Sequence, residues 1–121
     1  MNKNTTKLMF SHASDEWETS KNFFDKLNKI HHFTLDPCAT KENAKCSEWF
    51  GKKDNGLRQI WENHTVFCNP PYSDVESWLQ KAYEERKENK VKTVLLLPGR
   101  IDTKWFHKYI QFANELVIIK G

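Results

Sequence analysis

Two short apolar runs limit what this chain can fold into more than any other feature. Thr65-Val66-Phe67-Cys68 and Thr93-Val94-Leu95-Leu96-Leu97 show no polar alternation, and each stops at proline: Asn69-Pro70-Pro71-Tyr72 after the first, Pro98 after the second. A strand wetted on one face alternates polar and apolar residues. A continuous apolar run needs cover on both faces, which parallel sheets obtain from two layers of helix. The segment between the runs supplies such a helix. Ser73 and Glu76 read as a capping box, and Val75, Trp78, Leu79, Ala82 and Tyr83 form one apolar stripe. Glu84 to Lys90 beyond it reads as a solvated helix end. Strand, turn, helix and strand in that order predict an α/β fold, a mainly parallel sheet flanked by helices.

The same alternation extends both ways. Phe23, Phe24, Leu27 and Ile30 fall at helical spacing behind an N-cap at Thr19 or Ser20. Phe33 to Asp36 reads as a short strand ended by Pro37, and Cys46 to Phe50 as a weaker one. Asp54-Asn55-Gly56 is a turn, leading into a short helical piece through Leu57, Ile60 and Trp61. Asp102 caps a last helix carrying Trp105, Phe106, Tyr109, Ile110 and Ala113, and Leu116 to Ile119 is a final strand. Residues 1–13 are polar and patternless and are expected to be a loose arm, with 14–121 a single domain.

Composition excludes several classes. With 121 residues, 38% hydrophobic and 13% aromatic, the chain can bury one core. No apolar run nears the roughly 20 residues that span a bilayer, so no membrane partner is expected. The first residues lead into no apolar signal region, and Cys38, Cys46 and Cys68 cannot all pair, which predicts reduced thiols in a cytoplasm. A formal charge of +3 permits a nucleic-acid partner without requiring one. Cys38 and Cys46 lack the spacing of a zinc-chelating pair, and no metal is expected.

Ligands of open parallel sheets bind at the carboxyl ends of the strands. That rule selects the turns after Asp36, after Cys68 and after Leu97. The second, Asn69-Pro70-Pro71-Tyr72, carries chemistry. Two prolines delete two backbone donors and fix two φ angles, leaving a rigid turn. The exocyclic amine of adenine is a poor nucleophile because its lone pair is delocalised into the ring. Asn69 and a backbone carbonyl of the proline pair could each accept one amine hydrogen, so the nitrogen pyramidalises and its lone pair turns outward. Tyr72 offers a face on which a flipped base can stack. As plain architecture, the same four residues are a strand-exit turn with an Asn cap.

Asn-Pro-Pro-Tyr resembles the catalytic motif of S-adenosylmethionine-dependent amino-methyltransferases. Longer strings resemble one branch, the phage-type DNA N6-adenine methyltransferases: Asp15 to Thr19, Leu35-Asp-Pro-Cys-Ala-Thr40, Glu42 to Cys46, Val66 to Tyr72, Leu96 to Arg100, and Asp102 to His107. They follow one order across residues 14–121. The resemblance implies a minimal Rossmann-like methyltransferase fold, S-adenosylmethionine as cofactor, and transfer to the N6 amine of a DNA adenine, flipped from the duplex or single-stranded. It implies that Asn69, Pro70, Pro71 and Tyr72 are catalytic. Trp17, Thr19, Asp36, Pro37, Cys38 and Ala39 would meet the cofactor, with Asp36 against its ammonium group, and Asp54 its ribose. Arg100 and Lys104, with Tyr72, would meet the substrate. Asp102 reads as a helix cap and His107 as a helix-face residue.

Each of these assignments has a plainer counterpart: Asp36 as a turn cap, Trp17 as core, Thr19 as an N-cap, Asp54 as a turn residue. Leu35 to Thr40 also lacks the Gly-x-Gly of phosphate-binding turns, which S-adenosylmethionine, having no phosphate, does not need. Three rival functions share the motif. They are methylation of RNA bases, methylation of a protein glutamine, and a non-catalytic module that binds DNA or cofactor. The chain leaves no residues for a dedicated DNA-reading lobe. Target choice is therefore expected from short loops, a partner copy in a homodimer, or sequence beyond Gly121. The biological setting expected is a bacterial or phage-infected cell, with protection from restriction as one role.

Overall fold

The computed structural model describes residues 6–11, 21–98, 104–113 and 115–118. The described strands are β1 (Thr6–Ser11), β2 (Leu35–Asp36), β3 (Glu48–Trp49), β4 (Thr65–Cys68), β5 (Lys92–Pro98) and β6 (Glu115–Ile118). The helices are α1 (Lys21–His31), α2 (Val75–Asn89) and α3 (Lys104–Tyr109), with 3-10 turns at Gly56–Arg58, Tyr72–Asp74 and Ile110–Phe112. The strands form one sheet in the order β3-β2-β4-β5-β1-β6, and every pairing is parallel.

The two apolar runs are the sheet's centre, in register from Thr65 opposite Lys92 to Cys68 opposite Leu95. Their side chains divide between the faces, as the two-residue period of a strand requires. Phe67, Val94 and Leu96 pack with Phe24, Leu27 and Phe33 on the α1 side. Val66, Cys68, Leu95 and Leu97 pack with Val75, Leu79, Ala82 and Tyr109 on the α2 and α3 side. Both faces are covered, so a continuous apolar sequence is what this position demands. The crossover through α1 runs from β1 to β2, and the crossover through α2 runs the opposite way, from β4 to β5. Their helices lie on opposite faces, as a common right-handed crossover imposes.

Several expectations are corrected. Thr6–Ser11 is an interior strand between β5 and β6, not part of a loose arm. Its ordering comes from two non-local ladders, which leave no local pattern in Lys7-Leu8-Met9-Phe10. The capping box at Ser73 is not formed. The rigid proline turn runs on into a 3-10 turn closed by Asp74 N–H on the Pro71 carbonyl (3.0 Å), so α2 begins at Val75 and Asp74 accepts from the Ser77 hydroxyl (2.7 Å). Glu85 is buried within the stretch read as a solvated helix end. Lys81 and Asn89 donate to it at 2.7 and 2.9 Å, satisfying its carboxylate along the helix. Ile30 and Ile60 are exposed, at 68% and 69%. α1 ends one residue later, with His32 at φ 57°, and the piece after Gly56 is one 3-10 turn, so neither isoleucine reaches the core.

At the amino ends of three strands a polar cluster fixes their relative level. Thr34 donates its N–H to the Thr65 carbonyl (2.8 Å), and its hydroxyl lies 2.9 Å from His64 Nδ1. His64 Nε2 reaches Glu48 at 3.1 Å. The opposite ends of β2 and β4 then emerge side by side.

Candidate active site

Connections leave β2 toward β3 and leave β4 toward β5, in opposite directions along the sheet. The carboxyl ends of β2 and β4 therefore flank a topological switch point, where open α/β sheets form their ligand crevice. A cavity of about 630 Å³ opens there. One wall is the turn after β2, with Asp36, Pro37, Cys38 and Ala39; facing it are Asn69, Pro70 and Pro71 after β4. The two segments are thirty residues apart in sequence and share this cavity because β2 and β4 are neighbours.

Asp36 is the electrostatic centre of the site. It is 4% exposed, and its Oδ2 accepts the Lys45 N–H at 3.0 Å. Burial lifts its carboxyl to about 6, against the opposing pull of the Lys45 and Cys38 backbone bonds and of the Lys45 charge. A carboxylate held there gains strongly from a cation delivered into the cavity. Burial also pushes the Cys38 and Cys46 thiols up to about 12 and the Cys68 thiol well above its ordinary value. All three stay protonated near neutral pH, so none is an activated nucleophile.

The turn after β2 is tied down along its length. Thr40 N–H donates to Asn43 Oδ1 (2.7 Å), and Asn43 N–H returns a bond to Thr40 Oγ1 (3.2 Å). Phe50 N–H donates to the Asp36 carbonyl and Ala39 N–H to the Phe50 carbonyl, both at 3.0 Å. A third wall comes from Gly51, Lys52, Asn55 and Gly56. Gly56 is indispensable for close approach, because a Cβ there would stand 2.1 Å from the Pro37 carbonyl oxygen. Its own carbonyl accepts the indole N–H of fully buried Trp61 at 3.0 Å. Trp61 stacks on Trp78, which lines the cavity (centroids 6.3 Å apart, planes at 19°).

Of the residues singled out from sequence, Asp36, Pro37, Cys38, Ala39, Asn69, Pro70 and Pro71 are brought together. Tyr72 is half-buried against the larger core cluster and is not part of the cavity wall. Asp54 is exposed, spends Oδ2 on the Gly51 N–H (2.9 Å), and stays out of the lining that its neighbours form. Lys104 is exposed at the first residue of α3 and is not part of the cavity wall. Trp17, Thr19, Arg100 and Asp102 lie outside the described residues. Sequence reasoning missed Lys45, Phe50, Lys52 and Trp78 as lining residues. Trp78 reads in sequence as one member of an apolar stripe, and no local signal marks the other three.

The sequence model of the family described as DNA N-6-adenine-methyltransferase (Dam) matches residues 5–121. The chain belongs to this family. Dam relatives include a DNA N-6-adenine-methyltransferase of Escherichia phage T1, 32% identical over 88% of this chain and 45% of its own length. Another, from Haemophilus phage HP1 (strain HP1c1), is 29% identical over 98% of this chain and 68% of its own length. A third, the putative methyltransferase YfdM of Escherichia coli (strain K12), is 34% identical over 50% of this chain and 74% of its own length. The chain thus spans less than half of the phage T1 relative. No solved structure matches. The Dam match begins at residue 5, so it includes β1, and the sheet is the small Rossmann-like α/β arrangement expected of such a methyltransferase.

Proposed function

We propose that this protein transfers a methyl group from S-adenosylmethionine to the N6 amine of adenine in DNA. One observation carries the reading. A buried carboxylate, Asp36, and a rigid amide-bearing turn, Asn69-Pro70-Pro71, face one cavity at the switch point of a parallel sheet.

The residues present suit the cofactor. Asp36 would hold its ammonium group, the Pro37-Cys38-Ala39 turn its methionine part, and Trp78 its apolar portion. When bound, S-adenosylmethionine supplies a methyl group on positively charged sulfur. The protein's part is orientation. The Asn69 side-chain carbonyl accepts one hydrogen of the adenine amine and the Pro70 backbone carbonyl the other. The lone pair so exposed would be the nucleophile for that methyl group, and the amine would then release its surplus proton to solvent. Proline at 70 and 71 keeps both acceptors from moving, which is where the rate gain of a positioned reactant originates. Neutral thiols at Cys38 and Cys68 offer no competing nucleophile. Tyr72, beside the cavity and not within it, is the ring on which the flipped base stacks, at about 1–3 kcal/mol. Arg100 is a phosphate contact of the substrate and Lys104 a further substrate contact, and the reduced cysteines suit the cytoplasm of a bacterial or phage-infected cell.

Methyl-transfer assays with labelled cofactor, offering DNA, RNA and protein separately, test the assignment. Label on DNA adenine is expected; label on RNA or protein alone overturns it. Asn69→Ala should lower transfer at least 100-fold while cofactor affinity, measured by calorimetry, changes little. Normal turnover in that variant would refute the orienting role.

A further inference from the structure

The cavity end that holds Asp36 also holds a cation. Lys45 lines the same cavity, its backbone N–H is bonded to Asp36 Oδ2 at 3.0 Å, and its charge acts on that carboxyl. The backbone bond sets the Lys45 Cα beside the carboxylate, whatever side chain stands at 45. The ammonium is nevertheless not spent on Asp36: Lys45 is half-buried, and the two form no direct ion pair. Lys52 also lines the cavity, but its charge is felt at Cys38. A carboxylate and an ammonium held side by side without neutralising one another complement a ligand bearing both charges on one carbon. We infer that Asp36 and Lys45 form a receptor for the zwitterionic α-amino-acid end of the cofactor, Asp36 taking its ammonium and Lys45 its carboxylate.

The inference rests on the proposed cofactor and gives Lys45 a separate task. Lys45 should discriminate ligands that carry the carboxylate from those that lack it, which a general contribution to folding or to positive potential would not do. A charge-assisted pair in such a partly wet site is worth about a tenfold change in affinity.

Calorimetry on the full chain with two probes separates the outcomes. S-adenosylhomocysteine carries both charges; its decarboxylated analogue, 5′-(3-aminopropylthio)adenosine, keeps the ammonium and lacks the carboxylate. Titration at about pH 8 keeps Asp36 ionised in the wild type and in both Lys45 variants, so a changed carboxyl pKa does not mimic the effect. Lys45→Met is expected to weaken S-adenosylhomocysteine about tenfold and leave the analogue within about twofold. Lys45→Arg should restore the preference, and Asp36→Asn should weaken both ligands. The backbone bond to Asp36 survives both substitutions at 45, and thermal melts confirm folding. Equal weakening of the two ligands by Lys45→Met, or none, overturns the inference while the cofactor assignment stands. No binding of S-adenosylhomocysteine by the folded wild type overturns the cofactor assignment and the inference with it.

Discussion

Asp36 sits where stability and ligand binding ask for opposite protonation states. Its carboxyl is raised from 3.8 to about 6 by burial, so between those values the folded chain holds a proton that the unfolded chain has released. Stability of the ligand-free protein should therefore fall as pH rises from about 4 to about 6, and level off above, by roughly 3 kcal/mol. If Asp36 holds the cofactor's ammonium group as proposed, affinity for S-adenosylmethionine should rise over the same window, because only the ionised carboxylate can pair with a cation. Asp36→Asn should abolish both trends, raising the neutral-pH melting temperature of the empty protein while weakening cofactor binding. Melts and titrations from pH 4 to 8 check the two together, and parallel trends would contradict the assignment. Residues of this kind are half legible in sequence. Asp36 and Asn69 are marked by standing just before proline at strand ends, but Lys45 carries no mark, because its place depends on a loop folding back to Asp36.

The elements that shape the cavity are held by a few contacts whose loss can be measured. Gly56 stands against the Pro37 carbonyl, and any Cβ must push the two turns apart. Gly56→Ala is expected to cost about 2 kcal/mol and to weaken cofactor binding, read by chemical denaturation and calorimetry. Trp61→Phe keeps a ring beside Trp78 and removes the donor to the Gly56 carbonyl. A loss of about 1–2 kcal/mol is expected, in line with a buried carbonyl left without its partner. The proline turn also explains a missed boundary. Ser73 and Glu76 satisfy the capping-box pattern, yet the stiff Pro70-Pro71 pair carries the chain through a 3-10 turn first, so Asp74 stands at the start of α2. Local pattern reads which helix forms; neighbouring geometry decides its first residue.

At the scale of the whole molecule, β1 is the element on which assembly turns. It pairs with β5 along six residues and with β6 along four, and β6 has no other neighbour among the described strands. A chain lacking residues 1–11 should leave β5 with an open edge and β6 with nothing to pair. Loss of the cooperative thermal transition is expected, followed by circular dichroism; an intact transition would show that β1 is dispensable. The family match from residue 5 agrees that this segment belongs to the fold.

Sequence by itself determined the central parallel pair, the helix between its strands and the two turns that meet at the cavity. These follow from short-range rules: a continuous apolar run needs two covered faces, and proline ends a strand. The interior place of β1, the burial of Glu85, the withdrawal of Asp54 and Tyr72 from the cavity wall and the arrival of Lys45 and Trp78 were decided only by tertiary structure. Each depends on partners distant in sequence or on a loop's path, and no local periodicity encodes which strand lies beside which, or which side chain a closing loop brings to a strand's end.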